Sequence, residues 1–193
     1  MRFLISFAYD GSKYKGYQKQ PRGKTVQNEV EKVLKKINND TAVPIHGSGR
    51  TDAGVHALGQ KAHFDLDLEI TPEQLKKAMN SLLPADIYVR EVSVVSDMFH
   101  ARYNAKGKEY IYKINMGEYN PLEKDYVYQY NKRLDVVAME RAMKYLEGEH
   151  DFKSFSKANE EKDDFVRKII QANLVRDLKA GNMIVLSFLG TGF

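Results

Sequence analysis

A chain of 193 residues with 42% hydrophobic side chains and a formal net charge of +4 can build one large domain or two small ones, each with its own core. It has no cysteine, so there is neither a disulfide framework nor a thiolate site, which favours a reducing compartment. No apolar run approaches the length of a membrane span and the N-terminus lacks a signal-peptide pattern, so the sequence points to a cytoplasmic protein with no membrane partner.

Arg2 to Tyr9 puts Phe3, Ile5, Phe7 and Tyr9 on one face at period two and predicts a strand, ended by Asp10-Gly11. The stretch that follows is basic. Over residues 1–25, six cations (Arg2, Lys13, Lys15, Lys19, Arg22, Lys24) stand against one acid, Asp10, a balance of +5 that leaves −1 for the rest of the chain. With Tyr14 and Tyr17 interleaved it suits contact with a polyanion, although a solvated basic surface has the same composition. Thr25 can cap a helix in which Val26, Val30, Val33, Leu34 and Ile37 keep the helical period to about Asn38, and Ala42 to Ile45 predicts a short strand.

That strand runs into His46-Gly47-Ser48-Gly49-Arg50-Thr51-Asp52-Ala53-Gly54-Val55-His56-Ala57, too polar and glycine-rich for a core element. Gly47, Gly49 and Gly54 allow a tight path that holds Asp52 at a fixed angle. Arg50 lies two residues earlier. In extended backbone the two side chains share a face, where the guanidinium would keep Asp52 ionised or grip a phosphate. Such a carboxylate can serve as base, nucleophile or structural anion, and the loop can equally be a turn tied down by an Arg–Asp pair. A metal site from His46, Asp52 and His56 matches no familiar ligand spacing, and neither a phosphate loop nor a dinucleotide fingerprint is completed.

Lys61 to Ile70 alternates Phe64, Leu66, Leu68 and Ile70 with Asp65, Asp67 and Glu69, predicting a strand whose carboxylate row is a solvated face or, less in keeping with its chemistry, a cation site. Thr71-Pro72-Glu73-Gln74 is a capping box that starts a helix ending before Pro84, and Ile87 to Val95 is the next strand. The first half therefore reads β-α-β-β-α-β, the ferredoxin-like pattern of an antiparallel sheet with helices on one face and the other open to a partner.

Met98 to Lys108 is a basic link that opens the second half. A strand over Glu109–Asn115 carries Tyr110, Tyr112 and Ile114 on one face, Tyr126 to Tyr130 extends the sheet, and Asp135 can cap a helix over about Leu134–Glu147. Asn159 to Asp164 is a charged loop. Strands over Val166–Asp177 and Met183–Leu189 are joined through Gly181-Asn182, a hairpin signal. The half reads β-α-β-β and stops at Gly190-Thr191-Gly192-Phe193, short of the helix and strand that would complete the pattern.

Ser48-Gly49-Arg50-Thr51-Asp52-Ala53-Gly54-Val55-His56-Ala57 resembles the signature of the tRNA pseudouridine synthase A (TruA) family. Tyr9-Asp10-Gly11, Gly16-Tyr17-Gln18, Thr25-Val26-Gln27, Phe99-His100-Ala101-Arg102, Lys108-Glu109-Tyr110-Ile111-Tyr112 and the segment His150 to Phe155 accompany it in order, with Tyr17 standing where many members carry Trp. The resemblance implies an α+β fold of two ferredoxin-like halves, 1–97 and 98–193, with mainly antiparallel sheet and the second half incomplete. It implies a homodimer that converts uridine to pseudouridine in the anticodon arm of tRNA, without cofactor or metal. Asp52 would be the catalytic carboxylate, Tyr110 the active-site phenol that stacks on the base, and Arg50 a group that contacts phosphate or fills the vacated space. Arg102, Lys13, Arg22, Lys24, Gln18 and His56 would bind RNA. Members continue into a helix whose arginine pairs with the aspartate, and no residue here matches it, so the resemblance also implies a C-terminally truncated member. The alternatives are an RNA-binding module without catalysis and, further off, a metal-dependent hydrolase using Asp52 with the Asp65, Asp67 and Glu69 row.

Overall fold

A computed structural model describes residues 1–156, 164–177 and 182–191, which fall into two compact units, Met1–Ala105 and Lys106–Phe193. The charged loop expected at 159–164, the hairpin turn through Gly181 and the last two residues lie wholly or partly outside the described residues.

In the first unit, β1 (Arg2–Tyr9), α1 (Val26–Ile37), β2 (His46–Gly47), β3 (Ala57–Asp65), α2 (Pro72–Leu82) and β4 (Ile87–Val95) follow one another. The strands form a sheet of order β2-β3-β1-β4, every pair antiparallel, which is the ferredoxin-like arrangement. Local chemistry sets both helix starts. The Thr25 hydroxyl accepts from Asn28 N–H at 3.4 Å, and Thr71 and Gln74 satisfy each other's backbone N–H groups in a capping box. Phe3, Ile5, Phe7 and Tyr9 all point into the core, where they meet Val30 and Leu34 of α1 and Leu75 and Met79 of α2. At the bulge where β4 pairs with Phe7, Asn80 of α2 bonds both backbone groups of Val89, accepting from its N–H at 2.8 Å and donating to its carbonyl at 2.9 Å.

Two strands differ from expectation. Residues 42–45 make no ladder although Val43 and Ile45 are buried; pairing falls instead on His46 and Gly47, opposite His63 and Ala62. The alternating run of 61–70 is strand only to Asp65, and it begins four residues earlier, at Ala57. Its neighbour β1 starts at Arg2, opposite Asp65; Met1 and Leu66 still exchange backbone bonds at 2.9 Å in each direction, and Asp67 and Glu69 lie past the ladder. The Asp65 carboxylate takes the Arg2 guanidinium at 2.8 and 2.7 Å, which holds its pKa below the usual range, and so is not a free ligand. Arg2 also donates to the carbonyls of Asp97 and Phe99, anchoring residues 97–99 to the sheet of the first unit.

The second unit contains β5 (Lys108–Asn115), β6 (Tyr128–Gln129), α3 (Val136–Lys144), β7 (Gly148–Asp151), β8 (Val166–Asp177) and β9 (Met183–Thr191) in a sheet of order β6-β5-β9-β8-β7. Asp135 caps α3 by accepting from Ala138 N–H at 2.9 Å; the helix is shorter than the predicted 134–147. The strand β7 has no counterpart in the pattern, because its sequence, Gly148-Glu149-His150-Asp151, has no apolar alternation and is strand only through pairing with β8. The β6 strand is two residues running parallel to β5, all that remains of the extension expected at 126–130. Met143 packs on Ile169 and Ala172 with Leu174, Leu186 and Phe188 against them, a smaller core than that of the first unit.

Candidate active site

Asp52 sits on the loop between β2 and β3, and its two stems are fastened by different means. On the incoming side, Gln60 of β3 points into the unit at a position that alternation reserves for apolar residues. Its amide accepts from Ser48 hydroxyl at 2.9 Å and donates to Gly49 carbonyl at 3.0 Å. Thr51 is held by the Tyr9 phenol, 2.8 Å from its hydroxyl, and by Tyr17 N–H, 3.0 Å from its carbonyl. On the outgoing side, Val55 N–H closes a turn onto Asp52 carbonyl at 3.2 Å, and Gly54 donates to Tyr14 carbonyl from a left-handed backbone with φ +79°. His56 Nδ1 accepts from Gly11 N–H at 3.2 Å and lies 3.1 Å from an Asp10 carboxylate oxygen. Gly11 and Val55 touch so closely that a Cβ on Gly11 would lie 2.0 Å from Val55 carbonyl oxygen.

The outcome is a rigid backbone with an exposed carboxylate. Among the described residues no hydrogen bond or ion pair engages the Asp52 side chain, and Arg50, also exposed, does not pair with it. The expected Arg50–Asp52 pair fails because Thr51 turns back to Tyr9 and a turn opens at Asp52, which ends the extended run in which residues two apart share a face.

The remaining site residues divide. Tyr14 and Tyr17, expected among the basic residues as polyanion contacts, are core side chains, each 3% exposed. Burial raises both phenol pKa values, and Asp86 adds to the effect at Tyr14 by accepting its hydroxyl proton. Lys24 is spoken for locally: its ammonium lies 3.8 Å from Asp86 and 4.5 Å from the Tyr14 ring centroid. Lys13, Gln18, Arg22 and Arg102 are exposed. Tyr110 belongs to the second unit, half-buried on β5 opposite Phe188 of β9. Among the described residues no group of three or more His, Cys, Asp or Glu is placed to hold a metal ion, and no helix is long and apolar enough to cross a membrane.

Residue types alone did not single out Gln60, Tyr9 or Gly11 as the loop's supports. The one local signal was a polar residue, Gln60, in the inward row with Ala62 and Phe64.

The family described as tRNA pseudouridine synthase matches residues 5–104 and 142–193. Over 193 residues the chain is 42% identical to the tRNA pseudouridine synthase A of Geobacillus sp. (strain WCH70), covering 100% of this chain and 77% of that protein. It is 46% identical to the tRNA pseudouridine synthase A of Exiguobacterium sp. (strain ATCC BAA-1283 / AT1b), covering 100% and 76%, and 45% identical to that of Lacticaseibacillus casei (strain BL23), covering 99% and 77%. A mixed α+β fold with two mainly antiparallel sheets, joined to these likenesses, defines an RNA-modifying isomerase. The chain belongs to the tRNA pseudouridine synthase family.

Proposed function

We propose that this chain isomerises uridine to pseudouridine in the anticodon arm of tRNA, acting as a homodimer, with Asp52 as the catalytic carboxylate. The reaction breaks the C1′–N1 bond, turns the uracil, joins C1′ to C5 and releases the C5 hydrogen as a proton. Atoms and electrons balance without an oxidant or an energy source, so the demand on the protein is geometric. The base must leave its stack and be held loose beside a carboxylate near C1′ and C6. The observation that carries the reading is an exposed carboxylate, engaged by no other described side chain, on a loop fastened at both stems. Such a group reaches a substrate without first giving up a partner, and its position is set before the RNA arrives. Tyr110 then stacks on the freed base and moves a proton. Arg50, unpaired among the described residues, contacts phosphate or occupies the space the base leaves, and Lys13, Arg22 and Arg102, with Gln18 and His56, hold the RNA.

Tritium release from tRNA labelled at uridine C5 tests this. Asp52→Asn should abolish release while tRNA affinity stays within a few fold. Retained turnover would refute the assignment of Asp52. A wild-type chain that binds tRNA and releases no tritium would establish the non-catalytic RNA-binding reading instead.

A further inference from the structure

The turn that follows β4 is built more tightly than a connector requires. Ala101 N–H donates to His63 Nδ1 at 3.1 Å, Arg102 N–H to His100 Nδ1 at 3.2 Å, and His100 N–H to Asn104 Oδ1 at 2.7 Å, while Asn104 N–H closes onto His100 carbonyl at 2.9 Å. These bonds hold a ladder of rings. His46 stacks on His63 with centroids 5.0 Å apart, His63 meets His100 edge-on at 4.6 Å, and His100 lies under Tyr103 at 4.3 Å with 31° between the planes. The innermost ring, His63, is 3% exposed and the outermost, Tyr103, is 79% exposed, so the stack ends on an open aromatic face. Arg102, exposed, flanks it with a cation.

We propose that this turn is a stacking platform on which Tyr103 receives an unpaired nucleobase of the tRNA. A ring already held by a rigid turn loses little freedom when a base settles on it, and every base has a face to offer. A cation beside the stack meets the phosphate that the base carries with it. The inference rests on tRNA being the substrate, and it adds a contact separate from the Asp52 loop.

The sequence contains no tryptophan, so Tyr103→Trp places a single fluorescent reporter at the platform. Its emission should be quenched in a saturable way by tRNA and left unchanged by inorganic polyphosphate, which supplies charge without bases. Tyr103→Leu should raise KM for tRNA about five- to a hundredfold, the range base–aromatic stacking supplies, with kcat at saturation little altered, and Tyr103→Phe should restore it. Binding of tRNA without quenching would overturn the platform, as would emission already blue-shifted and concentration-dependent before RNA is added, the mark of a second copy covering the ring. Quenching without tritium release would uphold the platform and refute the proposed activity.

Discussion

Gly11→Ala is the substitution that most directly tests whether the Asp52 loop is held by close approach. The added methyl would sit 2.0 Å from Val55 carbonyl oxygen and 2.5 Å from its carbon, and both are backbone atoms with no rotamer to swing aside. Ordinary contact begins near 3.4 Å, so the outgoing stem must retreat by more than 1 Å, and the Gly11 N–H bond to His56 must stretch with it. Overpacking of this kind costs about 1–3 kcal/mol of stability. A misplacement of about 1 Å costs about a hundredfold in turnover, because the reacting groups no longer meet in line. Two other glycines serve as references. Gly54→Ala meets no atom of the described residues within 4 Å but must hold φ +79°, which costs roughly 1–2 kcal/mol. Gly59→Ala likewise meets none of the described residues and keeps an ordinary backbone, so it should be neutral. Tritium release measured over a range of tRNA concentrations, beside thermal melting, separates these effects: Gly11→Ala should lower kcat far more than its loss of stability explains. Wild-type kcat and melting temperature in Gly11→Ala would refute the argument that this contact positions the loop.

Three further outcomes rest on side chains elsewhere in the first unit. Tyr17→Phe should be neutral or stabilising by about 1 kcal/mol in denaturant unfolding, because the Tyr17 hydroxyl is buried without a hydrogen-bond partner among the described residues; a clear loss would show that the hydroxyl has one. Asn80→Ala should cost about 2 kcal/mol, since it strands the N–H and the carbonyl of Val89 at the β4 bulge, and unchanged stability would mean that water replaces the amide. His63 is pushed down to about 4, first by burial and then by His100, His46 and Arg2, and its Nδ1 is free of a proton because it accepts from Ala101 N–H. The unfolded chain, with an ordinary His pKa of about 6.5, then binds more protons than the folded one between those values, so stability is full above pH 6.5 and falls toward pH 4. The loss is on the order of 3 kcal/mol, and His63→Asn, which keeps an acceptor for Ala101 without titrating, should flatten that part of the profile; an identical slope in both proteins would count against it.

Much of this protein was legible as a string. The bounds of β1 and β4, the Thr25 and Thr71 caps, the end of α2 before Pro84 and the signature around Asp52 all depend on residues within about four positions of one another, where period and side-chain-to-backbone bonding are decided locally. What the tertiary structure decided is where distant segments meet. The sheet made His46 and Gly47 a strand by pairing them with β3, and its ladder ends β3 at Asp65 although the alternation runs on to Ile70. Packing turned Tyr14 and Tyr17 from apparent RNA contacts into core, and it set Tyr9 and Gly11, far away in sequence, beside Gln60 around the Asp52 loop. It also stacked three histidines from three elements beneath Tyr103. Spacing along a chain carries the reach of a turn and no more; contacts between residues forty positions apart are selected by the free energy of the whole fold, which no local pattern records.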